Sequence, residues 1–406
     1  MRFRHPDGST VHLSYCTNVH PAETLAGVRD QLRDHCEPVR RRLGRDRLGI
    51  GLWLARDAAR ALTTDPSALR GLRAELDRRG LEVVTLNGFP YEGFGADEVK
   101  YRVYRPDWTD PERLAHTTDL ARLLAALLPD DVRQGSVSTL PLAWRTAYDE
   151  TAARQAHTAL TTLAGRLDAL EELTGKSVLI ALEPEPGCAV ETTSDAIGPL
   201  AAVASESGSD RIGICVDTCH LATSFEDPRT ALDALAQARI PIPKAQLSAA
   251  LHAEHPHLPE VRAALAAFAE PRFLHQTRAL STAHGRSGAG DSWSAARLHG
   301  TDDLGEALAG GALPDTTPWR AHFHVPLHAP PAPPLTSTLP VLQDALTRLV
   351  GGPVPRTHHL EVETYTWQAL PPELRPRNRA QLADGIAAEL TLARDLLTDL
   401  GLKELP

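Results

Sequence analysis

Short apolar runs alternate along the chain with longer segments in which apolar residues recur every three or four positions. The short runs predict strands and the longer segments predict amphipathic helices, which cover 111–128 and 151–173. Eight strands are predicted, at 11–17, 48–54, 82–87, 134–139, 177–183, 211–217, 244–248 and 359–364. This alternation indicates an α/β protein with a parallel sheet and crossover helices, and eight strands fit a closed (β/α)8 TIM barrel.

One further segment complicates the strand count. Residues 321–327, AHFHVPL, also have the pattern of a strand, so nine candidates compete for eight places. The stretch 251–320 follows the seventh predicted strand and holds little apolar material for a core of its own. We therefore expect one barrel domain over residues 1–406, in which 251–320 is an insertion after strand 7 or an elaborated crossover.

Composition and charge restrict the kind of protein. The 406 residues carry a formal net charge of −10, so the surface lacks the positive charge that nucleic acids and anionic membranes attract. No apolar run approaches the roughly 20 residues needed to cross a bilayer, and the first residues lack the apolar core of a signal peptide. Five cysteines without a C-x-x-C pair fit reduced thiols. These features predict a cytoplasmic protein with a small-molecule partner, no nucleic acid and no membrane span.

Carboxylates stand where several predicted strands end. Glu183 follows the apolar run SVLIAL, and Asp217 ends the run RIGICVD, with His220 three residues later. Glu361 and Glu363 share one face of the last strand, because side chains alternate along a strand. In an α/β barrel, functional side chains cluster at these carboxyl ends.

Buried carboxylates that face one another repel and resist desolvation, so such a cluster is costly unless it is protonated or neutralised by a cation. Three carboxylates at equivalent places in successive strand–helix units favour a divalent metal ion. Oxygen-rich ligation suits Mn²⁺, Mg²⁺ or Co²⁺, and Zn²⁺ fits if histidine joins. The alternative for each single carboxylate is that it caps the following helix or pairs with an arginine.

Several motifs resemble known families. ALEPEPG around Glu183, VDTCH around Asp217 and the final LEVET resemble the xylose-isomerase-like barrel superfamily. Five longer segments resemble, more narrowly, the EboE family, which is named for metabolite traffic. They are SYCTNVHPAET (14–24), TLNGFPYEGF (85–94), YRPDWTDPERL (104–114), HFHVPLH (322–328) and EVETYTW (361–367).

The wider resemblance implies roles for the residues that match its motifs. In that superfamily a metal is held by Glu, Asp, His and Glu from four late strands, and the D-x-x-H histidine contacts substrate. It implies that Glu183 and Asp217 are metal ligands and that His220 acts on substrate. One of Glu361 and Glu363 closes the metal shell, and we assign Glu363 to the metal and Glu361 to catalysis.

The seventh strand departs from the superfamily pattern. It reads KAQLS, so Gln246 stands where the superfamily has histidine. An amide oxygen binds a hard cation more weakly and without charge. Alternatively, His322 or His324 supplies the imidazole if AHFHVPL takes that place in the barrel. We keep Gln246 and His324 as metal candidates and His322 as a substrate contact.

The remaining candidates concern substrate and proton transfer. Asn18 and His20 follow the first strand and Asn87 follows the third, where each could hydrogen-bond a substrate hydroxyl. Asn87 begins an Asn-Gly pair, which is equally a turn signal. Glu185 lies two residues past Glu183 and is the best candidate for a second acid or base.

These features predict a metal-dependent isomerase or epimerase acting on a small polyhydroxylated compound, such as a sugar, sugar phosphate or cyclitol. The resemblance to EboE implies a secondary-metabolite pathway, with other proteins of that pathway as partners. One alternative is a multi-metal phosphoesterase-like hydrolase, which would need more histidines in the site. Another is a non-catalytic protein that binds or carries a metabolite, since a fold alone does not exclude it.

Overall fold

Eight parallel strands form a closed sheet in this protein, whose computed structural model describes residues 1–286 and 292–406. Counted over the whole described chain, the strands are β1 (Arg2–Arg4), β2 (Thr10–Cys16), β3 (Leu48–Trp53), β4 (Leu81–Asn87), β5 (Gln134–Thr139), β6 (Ser177–Leu182), β7 (Ile212–Asp217), β8 (Lys244–Leu247), β9 (Leu251–Ala253), β10 (Thr277–Arg286), β11 (Ser292–Thr301), β12 (Trp319–Ala321), β13 (Thr336–Ser337), β14 (His359–Val362) and β15 (Lys403–Glu404).

Strands β2 to β8 pair side by side in chain order, and β14 closes the ring. Leu360 of β14 lies opposite Ala245 of β8 on one side and opposite Leu13 of β2 on the other. The short strands β1 and β15 extend the sheet by antiparallel pairing beside β2. The predicted (β/α)8 barrel is thereby confirmed, and each of its eight strands overlaps one of the eight predicted runs.

Helices alternate with the strands along the chain. They are α1 (Leu25–Gln31), α2 (Glu37–Arg42), α3 (Arg56–Thr64), α4 (Pro66–Arg79), α5 (Pro111–Leu127), α6 (Glu150–Thr174), α7 (Thr193–Ser207), α8 (Thr218–Thr223), α9 (Pro228–Gln237), α10 (Pro259–Ala266), α11 (Leu304–Ala309), α12 (Leu339–Val350) and α13 (Arg379–Asp399). Helices α5 and α6 overlap the two predicted helical segments, 111–128 and 151–173. A π-helical turn, Leu32–Cys36, joins α1 to α2.

Local sequence explains where these elements begin and end. The strands β3 and β7 are buried at every residue, as expected for a parallel sheet covered by helices. Asp65 caps α4 by accepting a hydrogen bond from the backbone N–H of Ser67, and Pro66 starts the helix. Gly80 ends it in the left-handed conformation, with φ of 66°.

A second sheet lies between β8 and α12. Its five antiparallel strands run in the order β11-β10-β12-β9-β13, and α10 and α11 lie between them in the chain. Strands β9 to β12 fall within the predicted insertion 251–320, apart from the last residue of β12. The insertion after the seventh barrel strand is thus present, and it has a sheet of its own. That residues 1–406 form one domain stays a prediction.

The prediction of a ninth strand at residues 321–327 is wrong. Only Ala321 belongs to one, at the end of β12 in the second sheet. Because β8 and β14 pair directly, the barrel has no edge left for a ninth strand. The residues that follow cross the mouth of the barrel instead, held by Val325 N–H donating to the carbonyl of Ala249, just beyond β8.

An ion pair is buried inside the barrel beneath its mouth. Lys244 Nζ of β8 lies 3.2 Å from Glu361 Oε2 of β14, and both side chains are fully buried. The Glu361 carboxylate approaches β3 so closely that a Cβ at Gly51 would lie 1.5 Å from its Oε2. A side chain at position 51 would therefore displace the carboxylate, and glycine leaves the space that the carboxylate occupies.

Candidate metal and substrate site

Three carboxyl groups meet at the carboxyl end of the barrel. Glu183 follows β6, Asp217 ends β7 and Glu363 follows β14. One oxygen from each lies within 4.8 Å of the others, and no residue of the three is more than 4% exposed. Glu183 Oε2 and Asp217 Oδ2 have no hydrogen-bond partner in the described part of the chain. The parallel strands thus bring together the three carboxylates that the sequence placed at strand ends.

An imidazole completes this group from outside the barrel sheet. His324 lies in the segment that crosses the mouth, and its Nδ1 donates to the carbonyl of Glu363 at 2.7 Å. The Nε2 atom therefore carries the lone pair, and it lies 4.0 Å from Asp217 Oδ2 with no partner among the described residues. A second hydrogen bond, from Thr366 Oγ1 to the carbonyl of His324, fixes the backbone at this point. A histidine held through its other nitrogen is prepared to bind a cation.

Gln246 lies on β8, the barrel strand between β7 and β14. It is opposite Asp217 of β7 and Glu361 of β14 in the ladder, and its side chain is fully buried. Both amide atoms lack a partner among the described residues. Unpartnered buried amides are rare, so Gln246 stays a candidate beside His324.

Electrostatics in this group favour a cation. Burial raises the pKa of Glu183 well above its usual range, and the neighbouring charges of Glu363 and Asp217 raise it further. Burial also raises the pKa of Glu363, as do Asp217 and Glu361. Unpartnered carboxylate oxygens and a free imidazole nitrogen, all facing one space, fit the donor set of a divalent metal ion.

Two amides orient the third carboxylate. Asn18 Nδ2 and Asn87 Nδ2 both donate to Glu363 Oε1, at 2.6 and 2.9 Å. Both asparagines line the pocket, as the sequence-based proposal requires. His20 does not line the pocket, because its ring turns away and stacks on His35 at a centroid distance of 4.0 Å.

Glu185 faces the pocket from a polar network of its own. Its carboxylate accepts hydrogen bonds from Tyr104 Oη and, at 3.3 Å, from Gln276 Nε2. Gln276 Oε1 accepts from His322 Nδ1 at 2.8 Å, which links the insertion to the mouth-crossing segment. Burial raises the pKa of Glu185 above its usual value. The carboxyl group is therefore closer to accepting a proton at neutral pH than a solvated glutamate.

Two histidines lie between Glu185 and the group of three carboxylates described above. His220 Nδ1 donates to the carbonyl of Pro184 at 2.8 Å, and His322 Nδ1 is engaged by Gln276. Their Nε2 atoms lie 2.9 Å apart. Both Nδ1 atoms are thus engaged, and the two Nε2 atoms face one another beside the pocket. The predicted substrate contacts His220 and His322 thus both line the pocket.

Sequence reasoning missed several residues of this site. Tyr104 belongs to a motif that resembles EboE but carries no catalytic signature, and Gln276 lies in the insertion without any motif. Glu389, deep in α13, is 1% exposed and accepts hydrogen bonds from Leu327 N–H and Thr364 Oγ1, at 3.0 and 2.6 Å. These bonds tie the mouth-crossing segment to the turn that carries Glu363. An isolated glutamate in a helical pattern gives no signal of such a contact.

Comparison with known proteins agrees with this geometry. Residues 43–264, more than half of the 406, match the sequence profile of the family described as the xylose isomerase-like TIM barrel. The chain belongs to that family. Among curated proteins, none has a sequence that matches this chain significantly.

Solved structures share the fold at low sequence identity. A protein from Anabaena variabilis described as a sugar phosphate isomerase/epimerase is 14% identical, with a TM-score of 0.50 over 97% of this chain and 100% of its own. D-allulose 3-epimerase from Methylomonas sp. is 12% identical, with a TM-score of 0.47 over 95% and 96% of the two chains. In the described residues of this xylose isomerase-like barrel, no helix is long and apolar enough to span a bilayer.

Replacing His324 by Gln tests which residue completes the donor set. We expect the dissociation constant for Mn²⁺ or Co²⁺ to rise about 10- to 100-fold, because the prepared Nε2 is lost. The control is Gln246→Met, which removes the amide of the adjacent strand and is expected to change affinity less than about threefold. Equilibrium dialysis with metal analysis measures both. The opposite ranking would assign the position to Gln246.

Proposed function

We propose that this chain is a metal-dependent isomerase or epimerase that acts on a small polyhydroxylated carbonyl compound, such as a sugar or cyclitol. The observation that carries the proposal is the convergence of Glu183, Asp217 and Glu363, with His324 Nε2 4.0 Å from Asp217 Oδ2, at a pocket that Glu185 also lines. Family membership supports it, because a protein of similar fold is described as a sugar phosphate isomerase/epimerase.

The residues of the site have two roles. Some bind the cation, and one transfers a proton. A divalent cation held by Glu183, Asp217, Glu363 and either His324 or Gln246 would polarise a carbonyl oxygen and an adjacent hydroxyl. Glu185, held by Tyr104 Oη, is the group that we propose removes and returns a proton on the carbon next to the carbonyl.

The other pocket residues keep substrate in place. His220 and His322 both line the pocket, where their Nε2 atoms can hydrogen-bond a substrate hydroxyl. Asn18 and Asn87 hold the Glu363 carboxylate in one orientation, so the cation side of the pocket is fixed before substrate arrives. We assign Glu361 to the buried pair with Lys244 rather than to proton transfer.

Exchange of solvent deuterium into substrate tests the proposal. Metal-loaded native protein is expected to exchange the hydrogen next to the carbonyl in at least one member of a panel of ketoses and cyclitol ketones, monitored by NMR. Glu185→Gln should slow that exchange at least about 100-fold while metal content stays unchanged. Absence of exchange over the whole panel by metal-loaded protein would contradict an isomerase or epimerase.

The segments that resemble the EboE family support a narrower proposal. We propose from them that the substrate belongs to a secondary-metabolite pathway and that other proteins of that pathway are partners of this chain.

Hydrolysis is a second candidate, because the donor groups overlap. Asp217, His220 and His324 also offer ligand atoms within 4.8 Å of one another, and so do Cys219, His322 and His324. Two or three metal ions per chain would favour a multi-metal hydrolase, and one ion per chain would favour the isomerase or epimerase.

A further inference from the structure

The outer wall of the pocket is apolar, in contrast to its floor. We use the name collar for the apolar and aromatic residues of this wall, which come from the loops after β4 and β14 and from the insertion. They are Phe89, Phe94, Val99, Val103, Phe273, Leu274 and Tyr365. The polar residues Glu183, Glu363 and Asn87 lie instead at strand ends, which places them beneath the collar.

Three rings of the collar pack against one another above the metal side of the pocket. The centroids of Phe94, Phe273 and Tyr365 are 5.0 to 5.5 Å apart, in the range of favourable aromatic pairs. The Tyr365 ring also lies 4.7 Å from the ring of His324. Aromatic surface thus begins directly beside the proposed metal ligands.

The pocket has almost no positive charge for an anionic ligand. Lys100 is the only lysine or arginine among the described residues that line it. Its ammonium group is already paired with the carboxylate of Asp303, at the start of α11. Glu183, Glu185 and Glu363 face the same space. A phosphate group beyond the reach of a bound metal ion would meet these carboxylates without a free lysine or arginine, which is unfavourable in a desolvated site.

The free space between the polar floor and the collar is small. Its volume is about 50 Å³, which is room for roughly four water molecules. That is enough for the hydroxyl and carbonyl groups of a ligand but not for a second bulky portion. A larger substituent would extend outward past the side chains of the collar, which are carried by loops rather than by barrel strands.

We propose that the substrate is an uncharged α-hydroxycarbonyl compound that bears an apolar or aromatic substituent, rather than a phosphorylated sugar. The hydroxyl and carbonyl groups occupy the polar floor beside Glu183 and Glu363, and the substituent lies among Phe94, Phe273 and Tyr365. This inference rests on the proposed function, because it takes the floor of the pocket as the place where the carbonyl group binds.

Three probes with one common head group test the inference. Dihydroxyacetone, dihydroxyacetone phosphate and 2-hydroxyacetophenone all contain HO–CH₂–C(=O)–, and they differ in carrying a hydroxyl, a phosphate or a phenyl ring. Dissociation constants are measured on metal-loaded native protein by ligand-observed NMR titration. We expect 2-hydroxyacetophenone to bind at least about tenfold more tightly than dihydroxyacetone, and the phosphate no more tightly than dihydroxyacetone.

Two matched variants locate the preference. Phe273→Ala is expected to reduce the preference for the phenyl probe to less than about threefold. Phe268→Ala is the control, because Phe268 is a buried ring of the same insertion that lines a different cavity and packs on Phe323. It should keep the full preference. A metal content equal to that of native protein shows that the variants retain the barrel mouth.

The outcomes distinguish a failure of this inference from a failure of the proposed function. Equal binding of all probes, tightest binding of the phosphate, or a phenyl preference that survives Phe273→Ala would overturn the inference and leave the proposed function intact. Binding of none of the probes, with metal present and no deuterium exchange, would overturn the proposed function and the inference with it.

Discussion

Glu183→Gln is expected to weaken binding of a divalent cation at least about 100-fold and, at the same time, to make the metal-free protein more stable. The carboxylate is an expected ligand, and its Oε2 has no other partner in the described structure. Without metal, it is a buried acid facing two others, so the isosteric amide removes repulsion and desolvation together. We expect a gain in unfolding free energy on the order of 1 kcal/mol at pH 8. Metal analysis after dialysis and urea unfolding of the metal-free proteins measure the two effects.

The gain in stability should depend on pH in a defined direction. Because the pKa of Glu183 in the folded protein lies above its usual value of 4.5, the unfolded chain releases this proton first as pH rises. The native protein therefore loses stability above about pH 4.5 relative to Glu183→Gln, and the two should converge below that pH. Glu185→Gln serves as the control for metal, since Glu185 lies outside the three-carboxylate group. Equal metal retention by Glu183→Gln and the native protein would exclude Glu183 as a ligand.

Lys244→Met is expected to reduce the free energy of unfolding by about 3–5 kcal/mol. The substitution leaves Glu361 as a fully buried carboxylate without its cation. Lys244 Nζ also lies 3.4 Å from the Leu86 carbonyl and from Ser138 Oγ, so two further acceptors lose a donor. The shift of the urea unfolding midpoint, at constant slope, measures the loss.

Removing both charges should restore most of that stability. In the double variant Lys244→Met with Glu361→Leu, no unpaired charge remains, and we expect unfolding free energy within about 1 kcal/mol of the native protein. This variant also separates structure from catalysis, because it removes Glu361 without the cost of an orphan charge. Full deuterium exchange by the stable double variant would agree with a structural role for Glu361. Loss of exchange with normal metal content would restore it as a catalytic residue.

The barrel itself was predictable because its determinants are local in the sequence. A parallel strand covered by helices must be apolar throughout, as in LGIGLW at β3, and such runs are visible without any tertiary information. The position of a carboxylate directly after such a run, as at Glu183 and Asp217, fixes its place at the barrel mouth. Closure of the barrel then brings these strand ends together, which is why three strand-end carboxylates could be grouped in advance.

What the sequence left open depended on contacts between distant segments. The direct pairing of β8 with β14 excludes residues 321–327 from the barrel sheet. His324 therefore approaches the carboxylates from a segment that crosses the barrel mouth and not from a strand. Glu361 and Glu363 share a face, yet one lies beside Lys244 and the other beside Asn18. The roles of Tyr104, Gln276 and Glu389 likewise arise from hydrogen bonds to residues far away in the chain. Periodicity reports which face of an element is buried, and only the tertiary structure decides which partner it meets there.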